Sequence, residues 1–290
     1  MTRVTLTKIH GCANDYLFVD CTRQPLERAG DVARIVSDRR RGVGADGLIL
    51  IYPSREADFR MEMYNADGSR AEMCGNGIRG LGKYVADHGL TDADEIAVAT
   101  DCGIKRLELA RGADGLVERV TVDMGMPVLE ARKIPVDADG MVVDRPLEVA
   151  GRTWNVTCVS MGNPHCVTFD ADPDVLDVAA IGPQFEHHWF FPARVNTEFV
   201  RVDARDLLRM RVWERGSGET WACGTGACAA LVAAVLTGRA DRRATVRLNG
   251  GDLEIEYCDD ETVRMTGPAV EVFTTTIDVP LEPVAEKRAV

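Results

Sequence analysis

The stretches "MCGNGIRG" (residues 73–80) and "ACGTGACA" (residues 222–229) decide how this chain is read. Each places a cysteine, a glycine, a small polar residue and a second glycine ahead of a run with helical spacing. Their cysteines, Cys74 and Cys223, lie 223 − 74 = 149 residues apart, close to half of the 290-residue chain. A helix start leaves backbone N–H groups without partners and carries partial positive charge. A thiol there ionises more readily, and the same N–H groups can hold a carboxylate. Small residues after the cysteine let a ligand come close to the backbone. One such turn is a weak signal. Two at matching positions imply two similar lobes whose helix starts face each other. Both cradles then converge on one carboxylate, with a sulfur on either side of the adjacent carbon. A thiolate and a thiol so placed take a proton from one face and return it to the other, which inverts a stereocentre.

Working outward, the same series of elements is read in each half. "MTRVTLTKIHG" alternates as a first strand, and "HGCANDYLFVD" is a turn and a second strand. Residues 25–40 carry a helical face of Leu26, Ala29, Val32, Ala33, Ile35 and Val36. "GLILIY" is a short apolar strand, "DFRMEMYN" a half-buried one, and "NADGS" a turn. The first cysteine turn opens a helix with Ile78, Leu81, Val85 and Ala86 on one side, stopped near Gly89. Three strand-like runs lie between Glu95 and Met124, two of them joined by "RGADGL". In the second half, "LEVAGRTWNVTCVSMGNPHCVTF", "VNTEFVRV" and "LLRMRVWERG" read as strands. "GACAALVAAVLTG" reads as a helix ended by Gly238, and strands resume through "TVRLNGGDLEIEYC" and "TVRMTGPAVEVF". The expected fold is α/β of the α+β kind: two pseudo-symmetric lobes, each a mostly antiparallel sheet wrapped around a central helix, with the site in the cleft between them. The first lobe is assigned to residues 1–124 and the second to 125–271. The last strand, about 272–280, is expected to return to the first lobe, and 281–290 to be a loose tail.

Composition narrows the function. With 46% hydrophobic and 28% charged residues the chain can bury a core. No apolar stretch is long enough to span a bilayer, and the opening lacks the apolar block of a signal peptide, so a cytoplasmic protein is expected. A net charge of −12 argues against nucleic acid and membrane partners and leaves a small-molecule substrate. Nine cysteines, odd in number and without a Cys-x-x-Cys pair, argue against a disulfide framework and a structural zinc site. Cys12, Cys21, Cys102, Cys158, Cys166, Cys228 and Cys258 read as packing residues. Cys228, five residues beyond Cys223, points elsewhere on its helix. His187 and His188 have no further ligand at metal-binding spacing. No lysine stands in a pyridoxal or Rossmann context, so no cofactor is expected.

Taken together, "NADGS", "MCGNGIR", "SMGNPHCV", "RVNTEF" and "WERGSGETWACGTGACA", in this order, resemble the diaminopimelate epimerase family over nearly the whole chain. That resemblance implies a cofactor-independent enzyme of lysine and peptidoglycan precursor synthesis, and a homodimer. It implies Cys74 and Cys223 as the acid/base pair, each serving one epimer. The backbone of Gly75, Asn76, Gly224 and Thr225 would bind the reacting carboxylate. Asn65, Asn163, Asn196 and Arg215, with Glu214 contributing, would hold the distal amino-acid end, and Asn14 falls on a substrate-contact position. His165 and Glu214 would support the catalytic pair. The residue types suit these tasks. Arg215 offers a planar fork to a carboxylate, and asparagines can serve both carboxylate and ammonium. Three other readings stay open: a racemase for another amino acid such as histidine, a cysteine-nucleophile amide hydrolase using Cys223 and His165, and a relative that works without the cysteine pair.

Overall fold

A computed structural model describes residues 1–71 and 74–281. The tail assigned to 281–290 therefore lies, Leu281 apart, outside the described residues. In chain order the first lobe contains β1 (Thr2–Gly11), β2 (Asn14–Asp20), α1 (Ala29–Val36), β3 (Gly47–Pro53), β4 (Phe59–Asn65), β5 (Arg70–Ala71), α2 (Gly75–Asp87), β6 (Glu95–Thr100), β7 (Gly103–Arg111) and β8 (Val117–Gly125). The second contains β9 (Arg145–Val149), β10 (Arg152–Ser160), β11 (Pro164–Thr168), α3 (Val178–Glu186), β12 (Asn196–Ala204), β13 (Leu207–Glu214), β14 (Gly218–Thr220), α4 (Gly224–Leu236), β15 (Arg243–Leu248), β16 (Gly251–Tyr257) and β17 (Val263–Pro268). A last strand, β18 (Val270–Val279), lies antiparallel to β1.

The two lobes share one pairing scheme. In the first, β1, β2, β3, β4, β6, β7 and β8 are successive neighbours. In the second, β10, β11, β12, β13, β15, β16 and β17 follow the same order. Most pairs are antiparallel. The parallel ones fall at equivalent places, β2 with β3 and β4 with β6 against β11 with β12 and β13 with β15. An antiparallel seam between β8 and β17 joins the lobes, with Val122 opposite Met265.

The repeat holds at the level of single residues. Tyr16 faces Gly47 across the first parallel pair, and His165 faces Asn196 across its counterpart. Both members shift by the same amount, 165 − 16 = 149 and 196 − 47 = 149. Leu48 opposite Tyr64 recurs as Thr197 opposite Trp213. The helices α2 and α4 begin 224 − 75 = 149 residues apart and each has 13 residues. The cysteine spacing is therefore the repeat distance of the chain from β2 through α2.

Each lobe closes around its long helix. Ile78, Leu81 and Val85 of α2 are fully buried. In α4 every residue from Ala227 to Ala234 is buried, because the helix is apolar on all sides and only an enclosed position accommodates that. Each such leucine or valine contributes about 2 kcal/mol by leaving water. Gly89 (φ +69°) and Gly238 (φ +71°) follow the two helix ends in the left-handed conformation that stops a helix.

The short helices differ from expectation. The one anticipated at 25–40 is limited to α1, and α3 was not anticipated from the sequence. Gly182 and Pro183 inside α3 read locally as breakers, yet the helix forms. Asp177 caps it by accepting from the Ala180 N–H at 3.0 Å. A Cβ on Gly182 would fall 2.3 Å from the Trp213 ring, so glycine is what lets α3 lie flat on β13. Both short helices make the crossover that a parallel strand pair requires.

Candidate active site

The first residues of α2 and α4 abut. A Cβ added to Gly75 would stand 3.8 Å from the Gly224 Cα, and one added to Gly224 would stand 3.7 Å from the Gly75 Cα. Met265, on β17, lies under both, 3.0 Å from either added Cβ. Cys74 and Cys223 occupy the preceding N-cap positions in extended conformations (φ −134° and −128°). The Cys223 Sγ caps its helix by accepting from the Gly226 N–H at 3.4 Å, whereas the Cys74 side chain makes no such cap hydrogen bond. The sequence-predicted cysteine turns and the glycines that follow them are thus brought together at one place. None of the nine cysteines forms a disulfide.

The surroundings of the two sulfurs differ. Cys74 donates to the Asn14 Oδ1 at 3.4 Å. Asn14 also accepts from Asn76 Nδ2 at 3.1 Å and donates to Asp46 at 2.7 Å. Arg39 bridges Asp46 to Asp15, which fixes the strand start that carries Asn14. Cys223 lies 3.5 Å from the Thr225 hydroxyl, and the Glu214 carboxylate accepts from Thr220. Burial raises the Cys74 thiol above its ordinary range, against the Tyr16 hydroxyl and the N–H groups of Gly77 and Asn76. Burial, and then the negative charges of Glu214 and Glu198, push the Cys223 thiol well up. Burial also lifts the Glu214 carboxyl, so this group favours the protonated state more than an exposed glutamate does.

His165 is fully buried. Its Nδ1 lies 2.6 Å from Glu198 Oε1 and its Nε2 lies 3.0 Å from Asn163 Oδ1. Both ring nitrogens are engaged, so it supports Asn163 and bonds neither sulfur. This narrows the role expected for it and removes the Cys223–His165 dyad of an amide hydrolase. Asn196 is buried and acts as a latch: it donates to Pro164 O and accepts from the Arg215 N–H, both at 2.8 Å. The Arg215 side chain is exposed at the rim and donates to Ala193 O at 3.1 Å. Asn65 is exposed and donates to Ser69 Oγ at 3.0 Å within its turn. His187 and His188 follow α3, away from any metal cluster among the described residues.

Four residues of this region escape a reading by motif: Tyr16, Asp46, Arg79 and Glu198. Arg79 is fully buried one turn into α2 and donates to Gly75 O at 3.2 Å and Asn76 Oδ1 at 2.8 Å. Its other acceptors are Pro268 O and the sulfurs of Met265 and Cys12, with no carboxylate among the described residues. The signal for Tyr16 and Glu198 was the 149-residue repeat, which maps Tyr16 onto His165 and Ile49 onto Glu198. A groove of about 670 Å³ between Lys83, His88, Leu116, Val270 and Val272 lies at the other end of α2 and contains neither cysteine.

Comparison with known proteins identifies the family and the fold. The family model for diaminopimelate epimerase matches residues 6–130 and 157–272. A diaminopimelate epimerase of Acetivibrio thermocellus is 54% identical over 275 residues, covering 94% of this chain and 98% of its own. One from Leptospira biflexa is 46% identical over 279 residues, covering 96% and 100%. Among solved structures, a probable proline racemase from Agrobacterium radiobacter superposes with a TM-score of 0.69 at 15% identity, covering 98% of this chain and 94% of that one. A Bacillus anthracis phenazine biosynthesis protein of the PhzF family gives 0.68 at 15% identity, covering 96% and 100%. These two likenesses concern the fold. No helix among the described residues is long and apolar enough to cross a membrane.

Proposed function

The chain belongs to the diaminopimelate epimerase family and is an isomerase, and from that premise we propose that it interconverts LL- and meso-diaminopimelate with Cys74 and Cys223 as the proton-transfer pair. The observation that carries this reading is the meeting of two cysteine-capped helix starts at Gly75 and Gly224. First-turn N–H groups of α2 and α4 clasp the α-carboxylate from both sides. One sulfur, as thiolate, removes the α-proton. The other, as thiol, delivers a proton to the opposite face. Reversing the two states runs the reaction backwards.

The α-proton beside a carboxylate is very weakly acidic, so the developing dianion must be stabilised by donors fixed in advance. Converging helix starts provide such donors. Matched acid and base add roughly 10²–10⁴-fold. The negative charge of Glu214 favours the protonated state of Cys223. At the far end of the substrate, Asn163 has its carbonyl engaged by His165, which leaves its amide N–H groups for a carboxylate. Arg215 at the rim supplies the planar fork, and a substrate without a second amino-acid head leaves these groups unpaired. The product serves lysine and peptidoglycan precursor synthesis on this reading.

The test is incubation with LL-diaminopimelate in deuterated water without added cofactor. Proton NMR should show epimerisation with deuterium entering one α-position. Exchange on histidine, with none on diaminopimelate, would replace the substrate assignment.

A further inference from the structure

We infer that Arg79 is a positioning residue for the reacting centre: its enclosed guanidinium sets the direction of the Asn76 amide, and through it the Asn14 carbonyl oxygen that meets the Cys74 thiol. This rests on the two-cysteine reading above and adds to it a residue that acts only through others.

Hydrogen-bond direction supplies the first argument. A guanidinium can only donate and a carboxylate can only accept, while an amide does both. Arg79 Nη2 donates to Asn76 Oδ1 at 2.8 Å, so Asn76 Nδ2 is turned the other way and donates to Asn14 Oδ1 at 3.1 Å. At the far end Asn14 Nδ2 donates to Asp46 at 2.7 Å, and Arg39 holds that carboxylate at 2.8 Å. Two amides in series are thus pinned between a donor-only group and an acceptor-only group. Neither can turn over without setting like against like. The Asn14 oxygen so presented accepts from Cys74 Sγ at 3.4 Å. A further contact serves the same helix turn: Arg79 Nη1 donates to Gly75 O at 3.2 Å. That carbonyl and the Asn76 N–H belong to one peptide group, so the cation polarises a first-turn N–H of α2.

Space supplies the second. The guanidinium lies in a slot that the fold keeps open for it. A Cβ on Gly11 of β1 would fall 2.7 Å from Nη2, and one on Gly267 of β17 would fall 3.0 Å from Nε. Arg79 also donates to Pro268 O at 3.3 Å and to the sulfur of Met265 at 3.7 Å, the residue under both helix starts. Strand β17 of the second lobe is thereby tied to the first turn of α2. The two lobes differ at this point. A Cβ on Gly77 would fall 2.6 Å from Ile49 Cδ1, and one on Gly226 would fall 2.7 Å from Glu198 Oε1. Both helix starts therefore rest on the same strand floor, one repeat apart. One turn further into the helix, the counterpart of Arg79 is Cys228, and that of Asn76 is Thr225. The device belongs to the first lobe alone.

The experiment is a double-variant cycle on the full chain, read by epimerisation of LL-diaminopimelate. Arg79→Met should lower kcat/KM about thirtyfold, the order of a hydrogen bond to a charged group, and Asn76→Ala about tenfold. With Arg79 gone the Asn76 amide is already undirected, so the double variant should lie within about threefold of Arg79→Met alone. Losses that multiply, as from independent sites, overturn the inference. Amide NMR separates direction from packing. In Arg79→Met the side-chain amide signals of Asn76 and Asn14 should move while those of Asn163 and Asn196 hold, and unmoved Asn76 and Asn14 signals overturn the inference. If Arg79→Met does not fold, Asn76→Asp decides. It leaves Arg79 a charged partner and so holds the melting temperature, yet it cannot donate to Asn14. Its kcat/KM should fall at least about tenfold, and near-native kinetics overturn the inference. Full turnover in Cys74→Ala would instead sink the two-cysteine reading itself.

Discussion

Gly75 and Gly224 meet across the lobe boundary with no side chain between them, and Met265 lies within 3.0 Å of where either would grow a Cβ. A methyl at either position forces the helix starts apart or displaces Met265. Gly75→Ala and Gly224→Ala should each lower kcat/KM about a hundredfold while costing about 1–3 kcal/mol of stability, the usual range for overpacking. Pairing either with Met265→Ala should recover part of the stability and little of the activity. Steady-state kinetics and thermal melts check both, and near-native kinetics in the single variants would mean the two helix starts do not act on one ligand.

Removing one sulfur should be as damaging as removing both. Cys74→Ala and Cys223→Ala should each lose at least about 10³-fold in turnover, in both directions, because each direction needs a base and an acid. Cys228→Ala, on the same helix but fully buried in the lobe core, should turn over normally. A single variant at Cys74 or Cys223 with native rates would leave one sulfur without a task.

The buried thiols predict a stability loss at high pH. Cys228 is pushed up to about 12 by burial, from 9.0, and Cys12, Cys21, Cys74, Cys166 and Cys223 are raised as well. For a group whose folded value is raised, the stabilisation is complete below the unfolded value and is lost as pH climbs through the folded one. Melting temperature should therefore hold up to about pH 9 and fall steadily towards pH 12. Cys228→Ala should flatten the decline in a series of melts. A melting temperature rising over that interval would contradict the burial of these groups.

The two-residue turn between β1 and β2 holds Cys12 at φ +54° and Ala13 at φ +64°, a left-handed conformation that side chains resist. Ala13 is exposed and has no packing to lose. Ala13→Gly should raise stability by a few tenths to about 1 kcal/mol, the strain relieved exceeding the added freedom of the unfolded chain. Chemical denaturation gives the sign, and a loss would show that the turn is unstrained.

Much of this was legible because the chemistry is local. Cysteine turns, helix stops at Gly89 and Gly238, and alternating strands such as "DFRMEMYN" are set by neighbours in sequence. What was hidden depends on distant partners. The helix at Val178–Glu186 contains Gly182 and Pro183, and is held by Trp213 and the Asp177 cap rather than by propensity. Tyr16 reads as one more β-strand aromatic until the register sets it opposite Gly47 and beside Cys74. Glu198 reads as a strand charge until its counterpart, Ile49, shows that the position is a floor. Arg79 looks like an ordinary helical arginine, and only the packing of Pro268 and Met265 around it shows that it is enclosed.

Because both copies of the repeat lie on a single chain, the two cysteine-capped helix starts cannot be separated by dilution, and their meeting is a one-molecule event. An assembly of two identical subunits about an axis would have to present the same residue at both rotation-related places. Covalent tandem linkage lifts that restriction, so Tyr16 can stand at one position and His165, paired with Glu198, at its counterpart. The frame repeats in its backbone and is free to differ in its side chains.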